Sequence, residues 1–142
     1  MGALLCRLIS GVLLSLGVFL WAYPVGATVP VKLSDLSYRP CPPGTAENIV
    51  LFGGTMAAKC YLISGTATNS SGKVVYNADV FGRIYDANGN DVIPERGRIG
   101  SIAEIPVGKS RFEIMVSVPA EQPEPLELKQ FKASGFTGRV RR

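Results

Sequence analysis

Chemistry at a protein site needs nucleophiles, acids and bases, and the commonest base is missing from this chain, whose 142 residues include no histidine. That removes Ser-His and Cys-His pairs, imidazole acid–base catalysis and metal centres built on His. Three cysteines are present, Cys6, Cys41 and Cys60. With no histidine to generate a thiolate, Cys41 and Cys60 read as a disulfide rather than as nucleophiles. The bridge would close 18 intervening residues, a constraint of about 3 kcal/mol in the chain-entropy account. The remaining catalytic option is a carboxylate pair of the kind that hydrolyses glycosides. Asp79, Asp86, Asp91, Glu95, Glu104 and Glu113 are the candidates. Their positions fit turns and outward strand faces, where acids usually coat a surface. The sequence thus predicts no catalysis, no metal and no cofactor.

Two segments imitate ligand loops. Ser71-Gly72-Lys73, with Gly65 upstream, is like a phosphate-binding loop. Six residues separate the two glycines where four are needed, and Val74 stands in place of the Ser or Thr that holds magnesium. Asp86-Ala87-Asn88-Gly89-Asn90-Asp91 starts like a calcium loop. There Asp91 takes the place of the invariant glycine, and Gly97 that of the bidentate glutamate. Both segments read as turns, for which Asn and Gly are suited, with weak calcium binding by the second as the lesser alternative. Asn69-Ser70-Ser71 matches an N-glycosylation acceptor, which matters only in a eukaryotic secretory route.

For binding rather than catalysis, Phe81, Arg83 and Tyr85 share one face of the longest strand. Aromatic side chains and Arg are enriched at the centres of interfaces. The plainer and preferred reading packs Phe81 and Tyr85 beneath the N-terminal segment and the Cys41–Cys60 loop. Arg139, Arg141 and Arg142 form a basic tail. It could touch an acidic protein or make peripheral contact with anionic lipid, or simply stand solvated.

These residues need a scaffold, and its address comes first. Arg7 precedes an apolar run over residues 8–22, Pro24 ends any helix, and Val25-Gly26-Ala27 supplies an exit for signal peptidase. Residues 1–27 therefore read as a cleaved signal peptide. The alternative is a retained anchor, since residues 8–27 are free of charge and about as long as the ~20 residues a spanning helix requires. In either case the remainder is exported, to a compartment where an even cysteine count suits a disulfide. Without Arg7, 14 basic residues face 11 acidic ones, a net charge of +3. That charge is too mild and too dispersed for nucleic-acid binding.

Residues 28–59 read as an N-terminal extension: an extended lead-in over 29–38, turn chemistry from Arg39 to Gly44, and a short apolar strand at 49–52 ended by Gly53-Gly54. Over residues 60–142 strands follow at short intervals. The first, 60–69, stops at Asn69-Ser70-Ser71-Gly72. The second, 74–85, places Val74, Tyr76, Ala78, Val80, Gly82 and Ile84 on one face. A weaker strand at 98–105 precedes one at 111–118 with Phe112, Ile114, Val116 and Val118 aligned. The last, 126–136, begins with Leu126 and Leu128 inward and switches phase by Phe131, as a bulge or burial on both faces would produce. No stretch beyond residues 1–27 has helical spacing, so the pattern predicts an all-β sandwich or barrel.

Over residues 61–136 the order of motifs resembles the FxLYD-type domain of bacterial and archaeal extracytoplasmic proteins. Gly65-Thr66-Ala67-Thr68-Asn69 is like its strand ending in Gly-x-x-x-Asn, and Ile84-Tyr85-Asp86 is like the Leu-Tyr-Asp of the family name. Pro106-Val107-Gly108 leading to Phe112-Glu113-Ile114 is like its Pro-x-Gly turn into a Phe-x-Val strand. Gly82 departs from the pattern by standing where the family has Phe, and Phe81 faces the other side. The resemblance implies a small immunoglobulin-like or fibronectin-like β-sandwich without enzymatic activity, and it leaves residues 28–59 unexplained. Signal and arrangement together also look like small periplasmic or thylakoid-lumen proteins of cyanobacteria. The expected role is an exported interaction or assembly module for a protein partner in a membrane complex or the envelope. The alternative is a carrier of a small ligand such as lipid, sugar or calcium.

Overall fold

The computed structural model describes residues 28–44, 57–93 and 97–139. The expected signal segment 1–27, the expected strand at 49–52, Glu95, Arg141 and Arg142 lie outside them. Among the described residues, six strands form the scaffold: β1 (Val29–Pro40), β2 (Ala58–Asn69), β3 (Val75–Tyr85), β4 (Arg98–Ile105), β5 (Gly108–Pro119) and β6 (Glu127–Phe136). Every pairing is antiparallel, in the order β4-β3-β6-β1-β2-β5. The lead-in of the sequence analysis is β1, which pairs with both β2 and β6. Its ladder to β6 spans only residues 29–32 against 132–135. This short ladder joins two three-stranded halves, β4-β3-β6 and β1-β2-β5. On the far side β4 packs against β5, with Gly100 beside Ile114. The fold is therefore all-β, a small sandwich made by one sheet folded over itself and nearly closed.

Closure places alternate residues of all six strands in one interior. Of the apolar side chains there that are under 2 % exposed, Ile63, Val75, Val80, Ile84, Ile105 and Val118 are the largest. Burying such a side chain contributes about 1.5–3 kcal/mol.

Among the described residues, three that are not glycine adopt left-handed backbone, Asp35 (φ 53°), Asn77 (φ 49°) and Gln130 (φ 56°). Each lies in an interval where its strand has one more residue than its partner. Asp35 is in the interval Ser34–Ser37 of β1, which opposes Thr66–Ser64. Asn77 is in the interval Tyr76–Asp79 of β3, which opposes Phe136–Ser134, and Gln130 lies between the β6 partners of Phe81 and Arg83. Such bulges reverse which face a strand turns inward. The phase switch expected by Phe131 coincides with the Gln130 bulge. In β3 the inward set differs from simple alternation: Val75 is fully buried and Tyr76 points outward, because the Asn77 bulge intervenes before Ala78, Val80 and Ile84 resume the inner face.

Gly82 lies on that inner face under the ring of Phe131 from β6, whose Cδ2 is 2.5 Å from where a Cβ would stand. An aromatic from the neighbouring strand thus occupies the space that a side chain at 82 would need.

Candidate functional site

The polar residues that give the sequence its motifs act first as pins. Asn69, at the end of β2, is 1 % exposed. Its Nδ2 donates to the carbonyls of Lys73 (2.8 Å), Ile105 (3.2 Å) and Pro106 (3.3 Å). Its Oδ1 accepts from the Ser71 backbone (3.1 Å) and hydroxyl (2.7 Å). One side chain so ties the turn after β2 to the turn after β4. A glycan on Nδ2 is incompatible with these bonds.

Asp86, immediately after β3, is likewise buried. Its Oδ1 accepts the backbone N–H groups of Asn88 (2.8 Å) and Asn90 (2.9 Å), and its Oδ2 accepts the Asn90 side-chain amide (3.2 Å). These bonds, led by the one from the Asn90 backbone, hold its carboxyl below the usual aspartate range despite burial. Asp91 accepts from the Ile93 N–H at 3.0 Å and from Arg83 Nη1 at 2.6 Å. The two carboxylates that made this stretch resemble a calcium loop, Asp86 and Asp91, are thus engaged by protein donors. No metal-ligand cluster occurs among the described residues.

Among the described residues, the other three acids considered for catalysis also have partners. Asp79 accepts from Arg98 Nε (3.0 Å) and Nη2 (2.7 Å). Glu113 pairs with Arg39 at 3.1 Å, and Glu104 with Arg139 at 4.0 Å.

At one end of the β1–β2 pair, Cys41 and Cys60 form a disulfide with their Cα atoms 5.4 Å apart, and the Cys41 N–H donates to the Cys60 carbonyl at 3.1 Å. This bridge is consistent with an oxidising, extracytoplasmic compartment. Tyr61, beside it, meets Tyr38 edge to face at 5.5 Å and donates its hydroxyl proton to Glu124. Burial first, then the Glu124 carboxylate, pushes the Tyr61 phenol well above its ordinary range. Tyr38 in turn accepts the Leu126 N–H at 2.9 Å. The two tyrosines clasp the segment before β6 onto the sheet, Tyr61 as a protonated donor to Glu124 and Tyr38 as an acceptor from Leu126.

Phe81, Arg83 and Tyr85 stand in succession on the outer face of β3, half-buried. Phe81 is flanked in register by Arg98 on β4 and Lys132 on β6. The Arg83 guanidinium is held by Asp91. Lys129 lies over the Tyr85 ring at 5.6 Å and pairs with Glu127 at 3.1 Å. The described ends of the Cys41–Cys60 loop sit elsewhere, around a recess of about 490 Å³ walled by Tyr61 and Glu124. Arg139 lies over the ring of Tyr76 at 5.2 Å, at the opposite end of β3 from Tyr85. It is therefore not grouped with Phe81 and Tyr85.

Sequence reasoning missed Lys32 and Lys132. They are far apart in the chain, and only the β1–β6 register sets them directly opposite each other, with Phe81 next in line. No local spacing signals this arrangement, because it depends on which distant strands pair. In comparisons with known proteins, no family model matches the chain, and neither a curated protein nor a solved structure matches it.

Proposed function

We propose that this chain is a non-catalytic, extracytoplasmic interaction or assembly module, working in a periplasm, a thylakoid lumen or outside the cell. Its partner is a protein of a membrane complex or of the envelope. The observation that carries the proposal is the outward face of β3 and β6, where Phe81, Arg83 and Tyr85 run beside Lys129 and Lys132. Aromatic and Arg side chains at the centre of a surface, with flexible cations at its rim, suit protein recognition. The non-catalytic part draws support from the absence of histidine. Further support comes from the partners held by Asp79, Asp86, Asp91, Glu104 and Glu113. The likeness to FxLYD-type domains, which rests partly on Asn69 and Asp86, points the same way. A second reading, a carrier of lipid or sugar, draws on an open recess of about 670 Å³ beside Phe81.

The test is recovery of the tagged chain from gently solubilised membranes after amine-directed cross-linking, with the linked peptides identified by mass spectrometry. A reproducible partner polypeptide joined through Lys129 or Lys132 is expected. Recovery of the chain alone, from both membrane and soluble fractions, would overturn the assembly reading in favour of the small-ligand one.

A further inference from the structure

One cross-strand row passes through all six strands on the outer face. Arg98 of β4 stands opposite Phe81 of β3, and Phe81 opposite Lys132 of β6. Lys132 faces Lys32 of β1, Lys32 faces Thr68 of β2, and Thr68 faces Lys109 of β5. Four of these six residues are cations, and all four are exposed. Arg98 is neutralised by Asp79, whereas Lys32, Lys109 and Lys132 make no ion pair among the described residues. Like charges directly opposite across a ladder oppose pairing rather than support it. The Lys32–Lys132 pair therefore has no electrostatic use among the described residues of the fold.

Its position suggests one outside the fold. Lys32 and Lys132 form the last rung of the β1–β6 ladder. Beyond them β1 bulges at Asp35 and β6 at Gln130, and the two halves of the sheet part. The open recess of about 670 Å³ lies on the paired side of this rung, with Pro30, Lys32, Thr68, Ser70, Phe81, Lys132 and Ser134 in its lining. Two ammonium groups, three hydroxyls, a proline and an aromatic ring make a site for a carboxylate with an apolar neighbour.

We infer that this recess and the cationic row seat an extended acidic segment of the partner, an inference that rests on the interaction-module reading above. A flat bilayer fits less well. The row follows a sheet that folds back on itself, so a plane reaches only part of it, and a recess admits a projecting side chain rather than a layer of headgroups.

The experiment measures binding of a labelled peptide of alternating Glu and Val to the purified chain. Phosphatidylglycerol vesicles and polygalacturonate serve as separate probes. Binding of the peptide that weakens as salt rises is expected. Charge-assisted hydrogen bonds are strong enough that K32Q/K132Q should bind about tenfold or more weakly. K59Q, which removes an exposed lysine at the disulfide end of β2, should bind as the unaltered chain does. No peptide binding at low salt, equal binding by K32Q/K132Q, or tighter binding of vesicles or polygalacturonate than of the peptide overturns the inference. The cross-linking experiment separates the two levels. If K32Q/K132Q captures the same partner as the unaltered chain, the module reading stands and this inference falls. If the unaltered chain captures nothing, the module reading itself fails, and the inference with it.

Discussion

Asp86 does with one carboxylate what the turn after β3 cannot do alone: it supplies acceptors for the N–H groups of Asn88 and Asn90, which the tight reversal turns away from any strand partner. Those bonds favour the charged form, and the carboxyl is held below its ordinary range. An unfolded aspartate titrates near about 3.9. The contribution of Asp86 to stability is therefore complete above that pH and is lost as pH falls through the lower folded value. D86N keeps an acceptor oxygen but not the charge. It should melt at a lower temperature than the unaltered chain at neutral pH, and the gap should close as pH drops below about 4. Melts recorded from neutral to acidic pH check this, and a gap that does not change with pH would mean that the charge is not what holds the turn. Asn69 plays the neutral counterpart, donating to three carbonyls. Both residues were legible as turn formers, because the bonds of Asn and Asp to backbone two to four residues on are local. The reach of Asn69 to Ile105 and Pro106, and of Tyr61 to Glu124, was not legible, since those contacts exist only once distant strands have paired.

At the level of the strand, alternation located β2 to β6 within a few residues, and it failed where a single residue breaks the period. Leu33 and Leu36 both pack on the core although three apart, across the bulge at Asp35; that spacing was visible in the sequence and is the bulge's trace. At the start of β3, Val75 and Tyr76 follow Val74 and all three are apolar or aromatic, so nothing local reveals that Asn77 reverses the phase. Gly82 shows the same limit. A glycine at this position was plain in the sequence, but the ring of Phe131 that lies over it depends on the β3–β6 register. A methyl group at 82 would meet ring atoms of Phe131 at 2.5 to 2.8 Å, Cγ among them, so the whole side chain must swing rather than its tip. G82A should therefore cost about 1–3 kcal/mol through overpacking. In a background of Phe131→Ala, itself costing about 3–5 kcal/mol, the same change should cost much less, a coupling of neighbours that a double-mutant cycle reads directly. Urea unfolding of the four proteins decides the matter, and additive effects would mean that the ring does not lie on Gly82.

Across the whole molecule, the hydrogen-bonded order begins with β4 and ends with β5, and these two strands meet. The sheet thus encloses its core with β1 at the join. The class of fold was readable from strand spacing; the closure was not, because it follows from the pairing of β1 with β6, the first strand with the last. The same pairing sets Lys32 against Lys132. If the fold alone governed that rung, an opposite charge would serve it better. K132E should therefore stabilise the chain at low ionic strength by about 0.2–1 kcal/mol, the range of a cross-strand charge pair. The gain should shrink with added salt, as the screening length falls from about 10 Å at 0.1 M to about 3 Å at 1 M. K109E is the matched control, because Lys109 faces the uncharged Thr68 and should show little of this gain. Thermal melts of the three proteins in low and high salt give the comparison. A K132E chain less stable than the unaltered one at every salt concentration would show that the two lysines do not repel. A more stable K132E chain that no longer binds the acidic peptide would show stability given up at this rung for the sake of a partner, the trade expected where a surface is shaped by binding rather than by folding.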